Sequence, residues 1–317
     1  MIEIVFFSCF YLFLGTNLYK KDFYWGNFYS LFKAFILSNS SVKHMLLAVC
    51  FFALMNVVVK TLPHIPAIEI ILFRSVFSFI ASYLILKKQS VPVFGNNKKL
   101  LVIRGIVGSI GLITFFYTLQ NIPLASAVTI QYLGPIFTSI LGIFIVKEKV
   151  KPKQFLFFAI AFSGVIMIEG FDPRINGLFL AIGITSALFS GLAYNVIRRL
   201  KNTEHPLVIV FYFPLVTIPI AGIISILYWK QPEGRDWFYL LLVGVLSQLA
   251  QYFMTIAYQN ANLAKVSNLN YLGIIFALGF GYVLFEETYN LYTYGGMLLV
   301  LTGVILNFLY ARRPETK

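Results

Sequence analysis

Apolar runs recur along most of the sequence, and they restrict the chain to one class of fold. Each is about 20 residues long, which is enough to cross the hydrocarbon core of a bilayer as one helix. Charged residues make up 12% of the chain, about half of their usual share in a soluble domain. Because lipid offers no hydrogen-bond partner to open backbone, helices are the expected element. The sequence therefore predicts an all-α membrane protein.

Ten such runs follow one another from residue 43 onward, and each is predicted to be one transmembrane helix. Prolines mark many of the breaks, and a helix tolerates proline in its first turn because that N–H has no partner anyway. The expected spans cover residues 43–62, 67–86, 100–119, 123–146, 152–169, 175–197, 206–229, 236–258, 263–285 and 291–310. Residues 311–317 are expected to form a short cytoplasmic tail.

Two segments of the chain match each other without a gap. Residues 120–148 are repeated 139 positions later as residues 259–287, and both begin with Gln-Asn, contain Tyr-Leu-Gly and end with Glu. Chance matches in apolar sequence favour Leu, Ile and Phe and do not readily place these polar residues in register. We therefore infer an internal duplication. The two repeats, each with five spans, are predicted at residues 43–169 and 175–310.

Basic residues are distributed very unevenly between alternate connections. One set of connections holds sixteen, whereas the other holds only Arg174, Lys230 and Arg235. The set of connections with more basic residues is predicted to be cytoplasmic, which places both ends of the ten-span core in the cytoplasm. The expected location is the cell (inner) membrane. Because five is an odd number, the second repeat must then lie upside down relative to the first. Inverted repeats of this kind are typical of secondary transporters.

Residues 1–42 have no counterpart in the duplication. Their apolar run, residues 4–14, is short and follows Glu3, which is a poor signal peptide. Three interpretations remain open: an extra span, an interfacial anchor, or an over-long start with the true start near Met45. We expect this extension to lie outside the transport core.

Several short motifs resemble those of EamA-type permeases of the drug/metabolite transporter superfamily. The resemblance extends over about residues 43–310, and Ile274 departs from it where the first repeat has proline. It implies passage of small organic solutes, often outward, through a cavity between the halves, and leaves the solute open. The motifs are Arg74, Arg104-Gly105, Pro-Leu-Ala-x-Ala at 123–127, Gly134-Pro135, Glu148 and Glu287, and Gly164 and Gly303.

Repeat-related amides are the first candidates for the wall of such a cavity. Pro135 has no N–H to donate to the carbonyl of Gln131, so Gln131 offers both a side-chain amide and a partly freed carbonyl. Its repeat counterpart is Asn270. Ordinary hydrogen bonding between helices is the alternative role. The adjacent Tyr132 and Tyr271 are included in the predicted wall.

The eighth span carries a polar stripe at helical spacing, which includes Gln248, Gln251 and Tyr252. Such a stripe faces a partner helix or water rather than lipid. Asn195 in the sixth span is a weaker candidate of the same kind, beside Tyr194 and Asn56.

Three prolines inside predicted spans, Pro135, Pro214 and Pro219, are candidates for a hinge or gate. Broken helices mark binding regions in transporters, although a static kink is an equal alternative.

Charge within the spans is scarce. Arg74 is predicted to bind substrate or to gate, and a structural pair with Glu69 is the alternative. Lys60 and Arg104 are expected to extend to the membrane edges. Because Glu69 is the one plausible carboxylate inside a span, facilitated or exchange transport is favoured over proton coupling. Glu148 and Glu287 are expected to act structurally, as caps at the ends of the fourth and ninth spans, and Gly164 and Gly303 are expected to be structural in the fifth and tenth.

No catalytic or metal-binding constellation is visible in the sequence, so neither an enzyme nor a cofactor is expected. The expected partners are a small-molecule substrate and the lipid bilayer, with no nucleic acid; a homodimer stays open. The predicted function is export of a small polar metabolite, with amino acids or related zwitterions favoured because Arg74 could bind a carboxylate. A nucleotide-like or vitamin-like solute, or a role as a lipid-carrier flippase subunit, are the alternatives.

Overall fold

A computed structural model describes residues 40–147, 151–171, 175–260, 269 and 272–311. Within these ranges the chain forms eleven α-helices and no strand. The helices are α1 Ser40–Lys60, α2 Ala67–Lys88, α3 Lys98–Asn121, α4 Leu124–Gln131, α5 Gly134–Ile145, α6 Pro152–Phe171, α7 Gly177–Arg199, α8 Pro206–Tyr228, α9 Asp236–Asn260, α10 Leu272–Phe285 and α11 Leu291–Ala311.

Seven spans in the described ranges are long and apolar enough to cross a membrane, counting α4 and α5 as one. The other three helices, α6, α10 and α11, carry shorter apolar stretches. The prediction of an all-α, multi-pass membrane protein is thus confirmed, whereas the count of ten spans stays a prediction. The expected N-terminal extension and Glu148 lie outside the described residues, apart from the start of α1 at Ser40.

Polar side chains cap the N-termini of α3 and α7, at the ends of apolar runs. The side chain of Asn97 accepts a hydrogen bond from the N–H of Leu100 (3.2 Å), and that of Asn176 accepts one from Phe179 (3.0 Å). Each provides a partner for an N–H that the first helical turn leaves without one. Pro206 occupies the first turn of α8, where its missing N–H has no cost.

The predicted span 123–146 is divided into two helices at Tyr132 and Leu133. Pro135 lies in the first turn of the second piece, α5, and cannot donate to the carbonyl of Gln131. The division therefore falls where the sequence predicts a freed carbonyl. In contrast, α8 continues through Pro214 and Pro219 without a division.

Helix bounds in the second half follow those in the first at the offset of the duplication. Ala67 begins α2 as Pro206 begins α8, and α3 ends at Asn121 as α9 ends at its repeat counterpart, Asn260. The packing repeats in the same way: α1 packs on α9 as α3 packs on α7, while α2 packs on its counterpart α8 and α6 on α11. Equivalent helices thus have equivalent neighbours.

Glycines let α6 and α11 approach backbone to backbone. A Cβ atom added at Gly164 would lie 2.5 Å from the carbonyl oxygen of Gly296, and one at Gly303 would lie 2.6 Å from that of Phe157. Such distances are closer than van der Waals contact, so neither position has room for a methyl group. Close approach of this kind is how membrane helices associate without a hydrophobic driving force.

We expect Gly303→Ala to lower the melting temperature of the purified protein, because its methyl group would collide with backbone atoms that cannot move aside alone. Overpacking of this kind costs about 1–3 kcal/mol. Gly279→Ala in α10 is the matched control, since a Cβ there meets nothing within 4 Å. Equal melting temperatures for the two variants would contradict this account of the contact.

Candidate transport site

A cavity with a volume of about 120 Å³ lies among the helices of both halves. At the volume that each molecule takes up in liquid water, it has room for about four water molecules. Its wall combines apolar side chains from α1, α3 and α8 with a small set of polar ones, which is typical of a small-molecule site. The polar lining residues are Asn56, Arg104, Gln131, Tyr132, Ser190, Tyr194 and Gln251.

Arg104 provides the positive charge in this wall. Its side chain is only 2% exposed, so the expectation that it extends to the membrane edge is not met. Its Nη2 donates to Oε1 of Gln251 (3.3 Å), and its Cζ lies 4.5 Å from the ring centroid of Phe213. The Nε and Nη1 atoms of Arg104 are buried without a hydrogen-bond partner. The guanidinium therefore keeps donors available for a ligand.

Gly108, one helical turn after Arg104, is a sequence feature that bears on the inward position of the arginine. A Cβ atom at Gly108 would collide with the Arg104 guanidinium. The glycine therefore leaves space for the arginine along the same helix, as well as serving helix packing. In this chain the spacing of Arg104 and Gly108 gives the arginine side chain room to stay inside the bundle.

Gln131 lines the cavity and is also tied to a neighbouring helix. Its Nε2 donates to Ser190 (2.8 Å), and its Oε1 accepts from the hydroxyl of Ser186 (2.7 Å). Both predicted roles, cavity wall and bonding between helices, are thus present together. Because its amide is already held at both ends, Gln131 orients the wall more readily than it offers free donors.

Asn56 provides an available acceptor in the same wall. Its Oδ1 atom is buried without a hydrogen-bond partner. The repeat counterpart, Asn195, does not line the cavity: its Nδ2 donates to the carbonyls of Thr138 and Gly191, each at 2.9 Å. The two asparagines were candidates of the same kind in sequence, and their packing distinguishes them.

The other predicted wall residues lie in different places. Arg74 is 1% exposed and outside the wall, Gln248 donates to Ser82 (2.8 Å), and Tyr252 stacks at a tilt on Phe253. Of the predicted set, Gln131, Tyr132 and Gln251 line the cavity, as do Pro135 and the weaker candidates Asn56 and Tyr194. Asn270 and Tyr271 lie outside the described residues.

Arg74 contacts aromatic rings instead of the predicted carboxylate. Its Cζ lies 5.8 Å from the ring centroid of Phe116 and 5.5 Å from that of Phe213. Glu69, on the same helix, accepts instead from the backbone N–H of Lys230 (3.0 Å). Arg74 and Glu69, both within the described ranges, do not form an ion pair with each other.

A second polar cluster closes the end of the bundle where α1 ends, called here the Lys60 face. The Glu287 carboxylate accepts from the N–H of Leu124 through both oxygens (2.9 Å each) and from the hydroxyl of Tyr289 (2.5 Å). Lys60 lies 3.0 Å from the same carboxylate and donates to the carbonyl of Ile122 (2.7 Å). An anion at the start of α4 is favourable because helix N-termini carry partial positive charge. Lys60 is thus held by this pair rather than extending outward as expected.

The sequence profile described as the EamA-like transporter family matches residues 39–170 and again residues 176–309. The chain belongs to this family. It is a transporter rather than an enzyme.

Similar proteins carry transporter names. The Pseudopaline exporter CntI of Pseudomonas aeruginosa is 29% identical over 86% of this chain and 97% of its own length. An uncharacterized transporter of Helicobacter pylori is 30% identical over 87% and 97%. Human Solute carrier family 35 member G1 is 29% identical over 88% and 77%.

A solved crystal structure superposes with a TM-score of 0.70 at 16% identity, covering 87% of this chain and 99% of its own. At that identity the match shows the fold alone.

We expect Lys60→Met to destabilise the protein by about 1–3 kcal/mol, because it leaves the Glu287 carboxylate with no cation in a poorly hydrated position. Adding Glu287→Gln should then cost much less than the same change made alone. Melting temperatures of the two single variants and the double variant measure this coupling.

The His64–Asp236 pair on the same face provides the control for that cycle. Its Nε2–Oδ2 distance is 2.9 Å, but His64 is 43% exposed. Exposed pairs contribute about 0–1 kcal/mol, so His64→Ala should change the melting temperature little. Additive effects of Lys60→Met and Glu287→Gln would show that their contact does not hold the Lys60 face together.

Proposed function

We propose that this permease moves a small carboxylate-bearing metabolite, an amino acid or related zwitterion, by alternating access between two inverted five-helix repeats. The observation that carries the proposal is the Arg104 guanidinium in the cavity wall with two nitrogens free of hydrogen bonds. An arginine is strongly suited to a carboxylate because its planar donors can contact both oxygens. In a buried, poorly hydrated site such a contact also offsets the burial of the charge.

Asn56 supports a substrate that carries a donor as well as an acid. Its Oδ1 is buried without a hydrogen-bond partner, and the residue lines the same small cavity as Arg104. A solute with a carboxylate at one end and an N–H or O–H group near the other would provide partners for both. The apolar remainder of the wall, which includes Phe52, Met55 and Leu112, suits a short carbon skeleton.

Contacts at the two ends of the bundle support an inverted arrangement of the halves. Gln120 Nε2 donates to the carbonyl of Ile65 (2.9 Å), and Gln259 Nε2 donates to that of Glu204 (3.0 Å). Donor and acceptor are both displaced by the offset of the duplication. The first contact joins the last turn of α3 to the connection that follows Lys60. The second joins the last turn of α9 to the connection before α8, at the opposite ends of the helices. Outward movement is proposed because one relative is named an exporter.

We expect Arg104→Lys to weaken transport of the carboxylate substrate about tenfold to a hundredfold, because lysine keeps the charge but loses the two-point contact. Arg104→Gln should lose more. Uptake of radiolabelled amino acids into proteoliposomes measures both effects.

Arg235→Gln is the matched control for that experiment, since Arg235 is exposed between α8 and α9. Every variant must first show the elution profile and melting behaviour of a folded protein. A folded Arg104→Gln protein that transports every tested carboxylate at the original rate would refute the proposed site.

We also propose that the protein resides in the cell (inner) membrane with both core termini in the cytoplasm. The support is the excess of basic residues in one set of connections. A reporter enzyme that is active only outside the cytoplasm should stay silent when fused after Lys317. The same reporter inserted at Gly234, between α8 and α9, should be active; the opposite pattern would reverse the proposed orientation.

A further inference from the structure

Two buried guanidiniums share one aromatic ring beside the cavity. The Cζ atoms of Arg104 and Arg74 lie 4.5 and 5.5 Å from the ring centroid of Phe213, so the two cations are near neighbours. Arg104 lines the cavity together with Phe213, whereas Arg74 lies beyond that wall. Phe213 therefore both lines the cavity and contacts Arg74.

Neither arginine has a carboxylate partner within the described part of the chain. The ion pairs found there are Lys60–Glu287 and His64–Asp236, both on the Lys60 face. The Nε and Nη1 atoms of Arg74 and Arg104 are buried without hydrogen bonds. Aromatic rings offset only part of the cost of burying a cation, and two like charges against one ring in a low dielectric repel each other. The site thus has an excess of positive charge.

A simple zwitterion would not correct that excess. Its carboxylate would neutralise one guanidinium, while its ammonium would bring a third positive charge near the other two. Among the described wall residues, the buried acceptor without a partner is Asn56 Oδ1, which can accept a donor but provides no formal charge. Neutralising both arginines requires a second anionic group on the solute.

The position of Phe213 suggests how a second anionic group could reach Arg74. At the offset of the duplication Phe213 is the repeat counterpart of Arg74, and the two lie on α8 and α2, which pack against each other. The next residue, Pro214, has no N–H for the carbonyl of Val210, which loosens the backbone at this point. A modest movement of the Phe213 side chain would expose Arg74 to the cavity.

On the basis of the proposed function, we infer that the transported solute is a net anion with at least two carboxylates. One carboxylate binds Arg104, and the second replaces the Phe213 ring as the partner of Arg74. Two separated carboxylates fit two separate guanidiniums better than one compact phosphate group does. Phe213 serves as the partner of Arg74 while the site is empty.

The test compares acids that differ only in their second carboxylate. Succinate against succinamate, and glutamate against glutamine, are titrated into the purified full-length protein, and the affinity is read from the shift in melting temperature. We expect at least one diacid to bind about tenfold or more tightly than its monoamide, equivalent to about 1.4 kcal/mol. Folded Arg74→Gln should lose this difference, because the second carboxylate then has no cation to bind.

Net charge carried across the membrane during transport can be measured on the original protein, without any variant that must fold. In proteoliposomes, uptake of a dianion should respond to an imposed membrane potential, whereas uptake of a zwitterion should not. Arg235→Gln again serves as the control and should keep the preference of the original protein. Phosphoserine against serine is the third pair, and a preference confined to it would overturn the dicarboxylate assignment.

The possible failures can be separated. If acids and monoamides bind equally, and Arg104→Gln abolishes both, the second-carboxylate inference is overturned while the proposed function stands. If a folded Arg74→Gln protein keeps the full preference for the diacid, Arg74 is not the second subsite. If no carboxylate binds and Arg104→Gln changes nothing, both proposals are overturned.

Discussion

The exclusion of water from the hydrocarbon core is the constraint on which this structure depends. Backbone groups there have no partner except each other, so the described spans are helical and their ends are capped or hydrated. Association between the helices must then come from close packing, as between α6 and α11 at Gly164 and Gly303. Against this uniform background, a side chain that lacks a polar partner is costly. Near the cavity, Arg74, Arg104 and Asn56 have buried polar atoms without a partner, and these atoms are therefore informative about ligands.

The buried polar groups fall into two clusters, one whose atoms have hydrogen-bond partners and one with atoms that lack them. On the Lys60 face, the Glu287 carboxylate has partners on α1, on α4 and in its own connection. Such a cluster holds three elements together and leaves little capacity for a ligand. Around the cavity, Arg104 and Asn56 retain available atoms. The bundle thus combines a completed polar cluster at one end with incompletely bonded polar groups at its centre, where a bound solute would provide the missing contacts.

Most of the fold could be predicted from the sequence because its signals are local. Apolar length fixes the spans, and the loss of one N–H at Pro135 explains the division between α4 and α5. Fewer of the cavity residues could be predicted from the sequence. Gln131, Tyr132 and Gln251 were found from proline position and helical spacing, but Arg104 was assigned to the membrane edge from its sequence depth alone. Whether the Arg104 side chain extends outward or inward depends on neighbours such as Gly108 and Gln251. Because Gln251 lies on a different helix, its contact with Arg104 could not be predicted from spacing along the sequence.

The duplication explains why the two halves cannot contribute equally. Equivalent positions have diverged in chemistry: Arg74 corresponds to Phe213, and these two counterparts contact each other where α2 meets α8. Equivalent residues that touch must lie near the axis relating the halves, so a cation and a ring meet at the centre of the bundle. Asn56 and Asn195 kept the same chemistry, and both have a buried Oδ1 without a hydrogen-bond partner. Only Asn56 lines the cavity, whereas the Nδ2 of Asn195 donates to the carbonyls of Thr138 and Gly191. The cavity-lining residues with unpartnered polar atoms, Arg104 and Asn56, therefore both come from the first repeat, while the helix pairing is the same in both halves.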